Sequence, residues 1–338
     1  MLAPFFAAGA AVAAAGNADE DGYSRPFQAA AVVGGLVYIL LGLAILGRLL
    51  LRWFSSTTVV LGLLAATFGT GLFHHAAYDS ILSHAYSFFL VAAMLWLSLA
   101  IWRRPTALNA AALGVAGGSL TLVRPTNAVA LVLPALVGVV RLRDLPERAR
   151  AIARRPGLAG IGAVAFVAML VPQIVYWRVA TGDWFVYAYR DQHLDFLHPH
   201  VLQVLFSVRK GLFFWSPLLL LAVAGVPLVR RYVPELFLAS VVFLVVNAYV
   251  ICSWEIWWYG SSFGMRPFVE AVPIFTLGLC ALFEAIRGHV GRPLLAAAVV
   301  VTTFLSVHAM LAYWRGAIPN DRTTWHAYVH SYRDMWPG

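Results

Sequence analysis

Residues 84–104 read HAYSFFLVAAMLWLSLAIWRR, an apolar run closed by two arginines and followed by Pro105. At about 1.5 Å of rise per residue, roughly 20 apolar residues in a helix cross the hydrocarbon core of a bilayer. A run with no polar face to turn toward water belongs inside lipid or deep in a core, and the arginines at its end mark a membrane boundary. The rest of the chain repeats this pattern. Of its 338 residues 61% are hydrophobic and 12% are charged, with a mean hydropathy of +0.79, against about a quarter charged in an ordinary soluble domain. A water-soluble fold is excluded.

Working outward, a short apolar segment at 1–16 lacks the positive start of a secretory signal peptide and precedes a polar stretch at 17–25. Further apolar segments cover about 26–47, 57–73, 80–102, 157–177, 211–229, 234–252, 267–285 and 293–313. Two short runs, 107–123 and 126–140, flank Arg124-Pro125 and read as a helical hairpin or as one broken helix. The expected fold class is all-α: a polytopic transmembrane helical bundle of about 10–11 membrane segments over residues 1–313. A partly structured loop at 178–210, a second at 253–266 and a short tail at 314–338 complete it.

The charges set an orientation. Arg48, Arg52, Arg103, Arg104, six arginines between 141 and 155, Arg230, Arg231, Arg287 and Arg292 fall in one set of loops, fourteen of the 24 basic residues. By the positive-inside rule these loops are cytoplasmic, and 17–25, 74–83, Arg124, 178–210, 253–266 and the tail lie outside. The net charge of +9 therefore reads as topology and anionic-lipid contact rather than nucleic-acid binding, since no basic patch carries interleaved aromatics. Cys252 and Cys280 sit at different depths of apolar segments, so no disulfide is expected. No zinc-type Cys/His spacing appears.

Several outer residues are costly to keep in such a place. His74-His75-Ala76-Ala77-Tyr78-Asp79-Ser80, with Ser83-His84, sets a carboxylate among three imidazoles at a helix end. Asp79 and His84 are candidate catalytic residues; the plainer reading of Asp79 is an N-cap of the following helix. A divalent metal held by Asp79 and one histidine is a further candidate, though the spacing is not diagnostic. Arg124, before a helix-breaking proline, and Arg209-Lys210 suit a phosphate; the plainer reading of Arg124 is a snorkelling anchor. The loop 178–210 is too long and too aromatic to be a mere connector. With His198, His200, Glu255, Trp258 and Arg266 it suits a sugar or an acceptor, although Trp and Tyr also mark the interface belt. The stretch 253–266 is expected to fold back over the site, and Glu270 to pair with Arg266 at i, i+4.

In these stretches the chain resembles the GT-C class of integral-membrane glycosyltransferases, which includes protein O-mannosyltransferases and lipid A aminoarabinose transferases. They are Tyr78-Asp79-Ser80 with Ser83-His84-Ala85-Tyr86, Leu122-Val123-Arg124-Pro125-Thr126-Asn127, Asp195-Phe196-Leu197-His198-Pro199-His200, Arg209-Lys210-Gly211-Leu212-Phe213-Phe214-Trp215, and Trp257-Trp258-Tyr259-Gly260 with Phe263-Gly264-Met265-Arg266. They run in family order over most of the chain. The resemblance implies a transferase of the bacterial plasma membrane. It would move a sugar, with inversion, from a polyprenyl-phosphate donor to a glycan, lipid or protein acceptor on the non-cytoplasmic face. By the same resemblance Asp79 matches an acidic position in the second outer loop, and Arg124 and Arg209 match positions facing the lipid phosphate. Family members usually begin with a further helix and a large outer loop bearing the main catalytic acid, and this sequence begins after them. Two other readings stand beside the first: a transporter or flippase of lipid-linked glycans, and a truncated non-catalytic membrane subunit.

Cysteines placed at positions 22, 195 and 260 are expected to react with an impermeant thiol reagent in intact cells, and one at 146 is not. Labelling at 146 reverses the orientation.

Overall fold

The structure is a computed structural model that describes every residue except Glu20, Arg190, Arg287 and 335–338. Glu20 of the acidic stretch and Arg287 of the charge asymmetry thus lie outside the described residues. Sixteen α-helices follow in order: α1 (Ala3–Ala15), α2 (Arg25–Leu50), α3 (Ser56–Phe68), α4 (Leu72–Ala77), α5 (Ser83–Arg103), α6 (Ala107–Val123), α7 (Val132–Leu136) and α8 (Leu145–Ala153). After these come α9 (Pro156–Thr181), α10 (Val201–Phe206), α11 (Leu212–Trp215), α12 (Leu218–Tyr232), α13 (Pro234–Cys252), α14 (Val272–Ala285), α15 (Gly291–Trp314) and α16 (Trp325–Asp334). Two 3₁₀ turns, Pro125–Leu131 and Arg266–Ala271, lead into α7 and α14. Among the described residues no strand forms, only a single antiparallel bridge between Leu194 and Trp254.

The chain is an integral, multi-pass membrane protein. Among the described residues, six helical stretches are long and apolar enough to cross a bilayer alone: α2, α5, α9, α13, α15 and Arg266–Ala285. Four shorter apolar stretches, Ala3–Ala15, Ser56–Phe68, Ala107–Val123 and Pro125–Leu136, account for others of the expected segments. The expected third segment breaks at Gly69 into α3 and α4, and that at 211–229 divides before Pro217 into α11 and α12. Around Arg124 the hairpin prevails over the broken helix. Pro125 forces Arg124 into an extended conformation (φ −154°, ψ 124°), and the chain returns to the end from which α6 started. There the Gly138 amide donates to the Glu235 carbonyl at 2.7 Å, and Arg103 pairs with Glu235 at 3.0 Å.

The bundle has two chemically different ends. One gathers the arginine-rich loops, with Arg148 over the Trp102 ring at 3.6 Å and Phe54 against Tyr232. The other gathers α4, the Arg124 tip, the loops 178–210 and 253–266, and the tail. At the centre run α5 and Arg266–Ala285, whose apolar residues dominate the buried core. α9 has no buried residue and packs chiefly against α6. That contact uses glycine, since a Cβ on Gly114 would lie 2.1 Å from the Gly162 carbonyl oxygen.

A second such contact bears on function. A Cβ on Gly35 of α2 would meet the Ser80 carbonyl oxygen at 2.1 Å, so α2 forms the floor under the turn that carries Asp79. Gly35→Val is expected to lower stability by about 1–3 kcal/mol, the usual scale of overpacking, read as detergent melting temperature. Gly157→Ala, with nothing within 4 Å, should leave it unchanged; equal melting of both variants contradicts the close approach.

Candidate functional site at the arginine-poor end

Four elements bring one cluster together. α4 presents His74 and His75, the turn after it presents Asp79, the first turn of α5 presents His84, and the 3₁₀ turn before α14 presents Arg266 and Glu270. Arg124 enters from the hairpin tip. The Glu270 carboxylate is 2% exposed, and its Oε1 accepts from Arg124 at 3.1 Å and lies 3.1 Å from Nδ1 of His84. The expected pairing with Arg266 is not formed. Residues 266–271 wind as a 3₁₀ turn with three residues per turn, so positions i and i+4 do not share a face. His84, expected as a catalytic group, is thus enclosed and spent on Glu270, and Arg124 is already ion-paired, with 18% of its side chain exposed.

Asp79 does not cap α5. The position before the helix is Leu82, without a side-chain cap. The Asp79 carboxylate turns back to His74 instead, Oδ2 to Nε2 at 2.8 Å, with its side chain 28% exposed. This hydrogen bond holds the carboxyl below the usual aspartate range, so Asp79 stands as an anion at the site's edge. Burial drives His75 well below the usual histidine range, and neither of its ring nitrogens has a partner.

His74, His75 and Asp79 have ligand atoms within 4.8 Å of one another, which tests the metal reading. His75 has a free lone pair and Asp79 has a free oxygen. His74 is committed on both sides, to Asp79 through Nε2 and to the Trp314 indole, which donates to Nδ1 at 2.8 Å. A metal on His74 Nε2 displaces one of those bonds, so the set fits a divalent cation as two ligands rather than three.

The other cations sit in a second group. Arg209 makes a two-pronged pair with Asp321 of the tail, at 2.9 and 3.0 Å, and its guanidinium lies 3.9 Å from the centre of the Trp258 ring. Lys210 is fully buried and donates to the Ser262 and Asn320 carbonyls; burial lowers its pKa to about 8. Arg266 connects the groups, lying within electrostatic reach of Lys210 on one side and of Arg124, Asp79 and Glu270 on the other. It is half-buried and, among the described residues, makes no hydrogen bond or close ion pair of its own.

The loops 178–210 and 253–266 cover this region as one layer. Asp195 and His200 donate backbone N–H bonds to Ser253 and Cys252, both at 2.7 Å, and the Tyr189 ring packs on Trp254. The expected sugar-binding residues of the layer engage one another locally: His198 with Asp195 at 2.9 Å, and Glu255 with His193 at 3.3 Å, all exposed. His200 starts α10. Sequence reasoning missed Trp314, Asn320 and Asp321. Trp314 ends an apolar run, where a tryptophan ordinarily signals the interface belt. A groove of about 730 Å³ between α3, α14 and α15 includes Ser55, Glu284 and Arg292. It lies at the arginine-rich end, apart from this chemistry.

No family model matches the chain, and no curated protein matches it. Among solved structures it is similar to ArnT from Cupriavidus metallidurans bound to undecaprenyl phosphate, with a TM-score of 0.58 and 16% identity over 84% of this chain and 56% of that one. It is also similar to the same protein in the apo state, with a TM-score of 0.51 and 17% identity over 85% of this chain and 50% of that one. This chain has the fold of ArnT. The GT-C-like bundle expected from the sequence is therefore its architecture, and the chain spans about half the length of the ArnT structures it matches.

Glu270→Gln leaves Arg124 without its counter-charge and is expected to cost about 3 kcal/mol, the scale of breaking a buried pair. Adding Arg124→Met should recover much of that loss in detergent melts. Equal stability of Glu270→Gln and the unaltered protein contradicts the paired state of Glu270.

Proposed function

We propose that the chain is a membrane glycosyltransferase that holds a polyprenyl-phosphate-linked sugar at the arginine-poor, outward face. Its reaction passes the sugar to an acceptor hydroxyl. The carrying observation is the unpaired Arg266 guanidinium set between the anionic Asp79 and a row of committed cations. The ArnT fold, on which one of the matched structures holds undecaprenyl phosphate, supports the choice of a lipid phosphate as ligand.

In this reading Arg266 takes the phosphate through two N–H donors, with Arg124 beside it. Arg209 and Lys210 join only when the tail carboxylate and carbonyls that hold them give way. The acceptor oxygen attacks the anomeric carbon as the bond from that carbon to the phosphate oxygen breaks. The electron pair of that bond stays on the phosphate, where the guanidinium balances the added charge. The acceptor's proton passes to the free oxygen of Asp79. Trp258, Glu255, His198 and His200 line the covering layer under which sugar and acceptor would meet. A donor that stays in the bilayer requires its enzyme to be there also, which is the physical reason for a site at a helix-bundle end.

Arg266→Ala is expected to weaken polyprenyl-phosphate binding by about 1–3 kcal/mol, the scale of charge-assisted hydrogen bonds. Lysine at 266 should restore only part of it, since the planar fork is lost, and Arg209→Ala should matter less. Asp79→Asn should leave binding intact and cut transfer from a lipid-linked donor by roughly a hundredfold or more. Unchanged binding in Arg266→Ala together with unchanged transfer in Asp79→Asn removes this site from the reaction.

A further inference from the structure

The indole of Trp314 lies 240 positions from His74 in sequence and 2.8 Å from its Nδ1 in space. An indole N–H donates and never accepts, so Nδ1 of His74 must present its lone pair. The proton of the neutral ring is then on Nε2, which lies 2.8 Å from Oδ2 of Asp79. An imidazolium would set one N–H against another across the Trp314 contact, so this geometry is that of the Nε2–H tautomer. The three groups donate in one direction, indole to imidazole to carboxylate, and such chains polarise and strengthen one another in a low-dielectric setting.

The surroundings fix each member. His74 is fully buried, stacked on Phe263 with ring centres 5.1 Å apart, and edge-on to Tyr313. Trp314 is stacked nearly parallel to Tyr78, 8° between planes at 5.4 Å, which sets the direction of its N–H. We propose that Trp314 sets the tautomer of His74 and that His74 thereby aims the Asp79 carboxylate through its Nε2 proton, both acting as positioning residues.

The consequence for the chemistry is specific, and it rests on the transferase reading above. His74 does not take the acceptor's proton, because its only lone pair is filled by the indole. One Asp79 oxygen is held and the other is left for the acceptor. The titratable and charged groups facing Asp79 are His74 and His75 of α4, His84 of α5, Arg266 of the 3₁₀ turn, Tyr78 beside it in the turn, and Tyr313 of α15. Of these only His74 hydrogen-bonds it.

The test uses the full chain in lipid nanodiscs, with ¹⁵N-labelled histidine and ¹³C-labelled aspartate. Nitrogen shifts report the tautomer, and magnetisation transfer from His74 Nε2–H to the Asp79 carboxyl carbon reports their hydrogen bond; neither needs activity. The unaltered protein should show His74 protonated at Nε2 only. In Trp314→Phe, which keeps a ring and removes the donor, His74 should become a mixture of tautomers and its Nε2–H contact with the Asp79 carboxyl carbon should weaken. With a lipid-linked donor, kcat should fall roughly tenfold and KM should hold, as for a misaimed group. His74→Gln can accept at Oε1 and donate at Nε2, and should keep more of the turnover than His74→Phe. His74 protonated at Nδ1 in the unaltered protein, or a pure Nε2 tautomer retained in Trp314→Phe, overturns the proposal. If turnover is absent in every form while the shifts behave as stated, the positioning relay stands and the transferase reading fails.

Discussion

A carboxylate buried in a membrane bundle must be compensated on the spot, and Glu270 is the residue on which that requirement falls. Its Oε1 is shared by Arg124 and His84, which arrive from the hairpin tip and from the first turn of α5. Leaving any of these charges unmatched in low dielectric costs several kcal/mol. The pairing therefore fixes where three separate segments meet. With Arg124 and His84 engaged by Glu270, the neighbouring Arg266 is left without a close partner among the described residues.

The rest of the bundle supplies rigidity behind this point. Close backbone approaches at Gly35 against Ser80 and at Gly225 against Gly278 let helices meet without intervening side chains, as is common where lipid removes the hydrophobic drive between helices. The first supports the Asp79 turn. The second joins α12 to α14, which continues from the turn that carries Glu270 and Arg266. At the arginine-poor end, the tail returns to place Trp314 on His74 and Asp321 on Arg209, so the end of the chain takes part in both cation groups.

Much of this was legible in the sequence, because the apolar runs and the clustering of arginines follow from the bilayer alone. The identity of the outer residues was legible too, since His74, Asp79, Arg124, Arg209 and Arg266 are conspicuous in so apolar a chain. Their partners were not. Asp79 had a local option, capping α5, and took a tertiary one with His74. Glu270 had a local option with Arg266, and the 3₁₀ turn removed it. Trp314 and Asp321 act over sequence separations that no spacing rule reaches, and each looks ordinary where it stands. In a bundle whose helices are nearly uniform, polar pairing across the fold decides the site, and local patterns record only that a site exists.

The central claim is that a lipid phosphate belongs at Arg266, between Asp79 and Arg124, and not in the large apolar groove at the opposite end. The most direct measurement is an experimental structure of the chain in nanodiscs containing undecaprenyl phosphate. The account predicts phosphate density within hydrogen-bonding distance of the Arg266 guanidinium, with Glu270 still paired to Arg124. Phosphate density at Arg292 beside the groove between α3, α14 and α15, with Arg266 left bare, would contradict it.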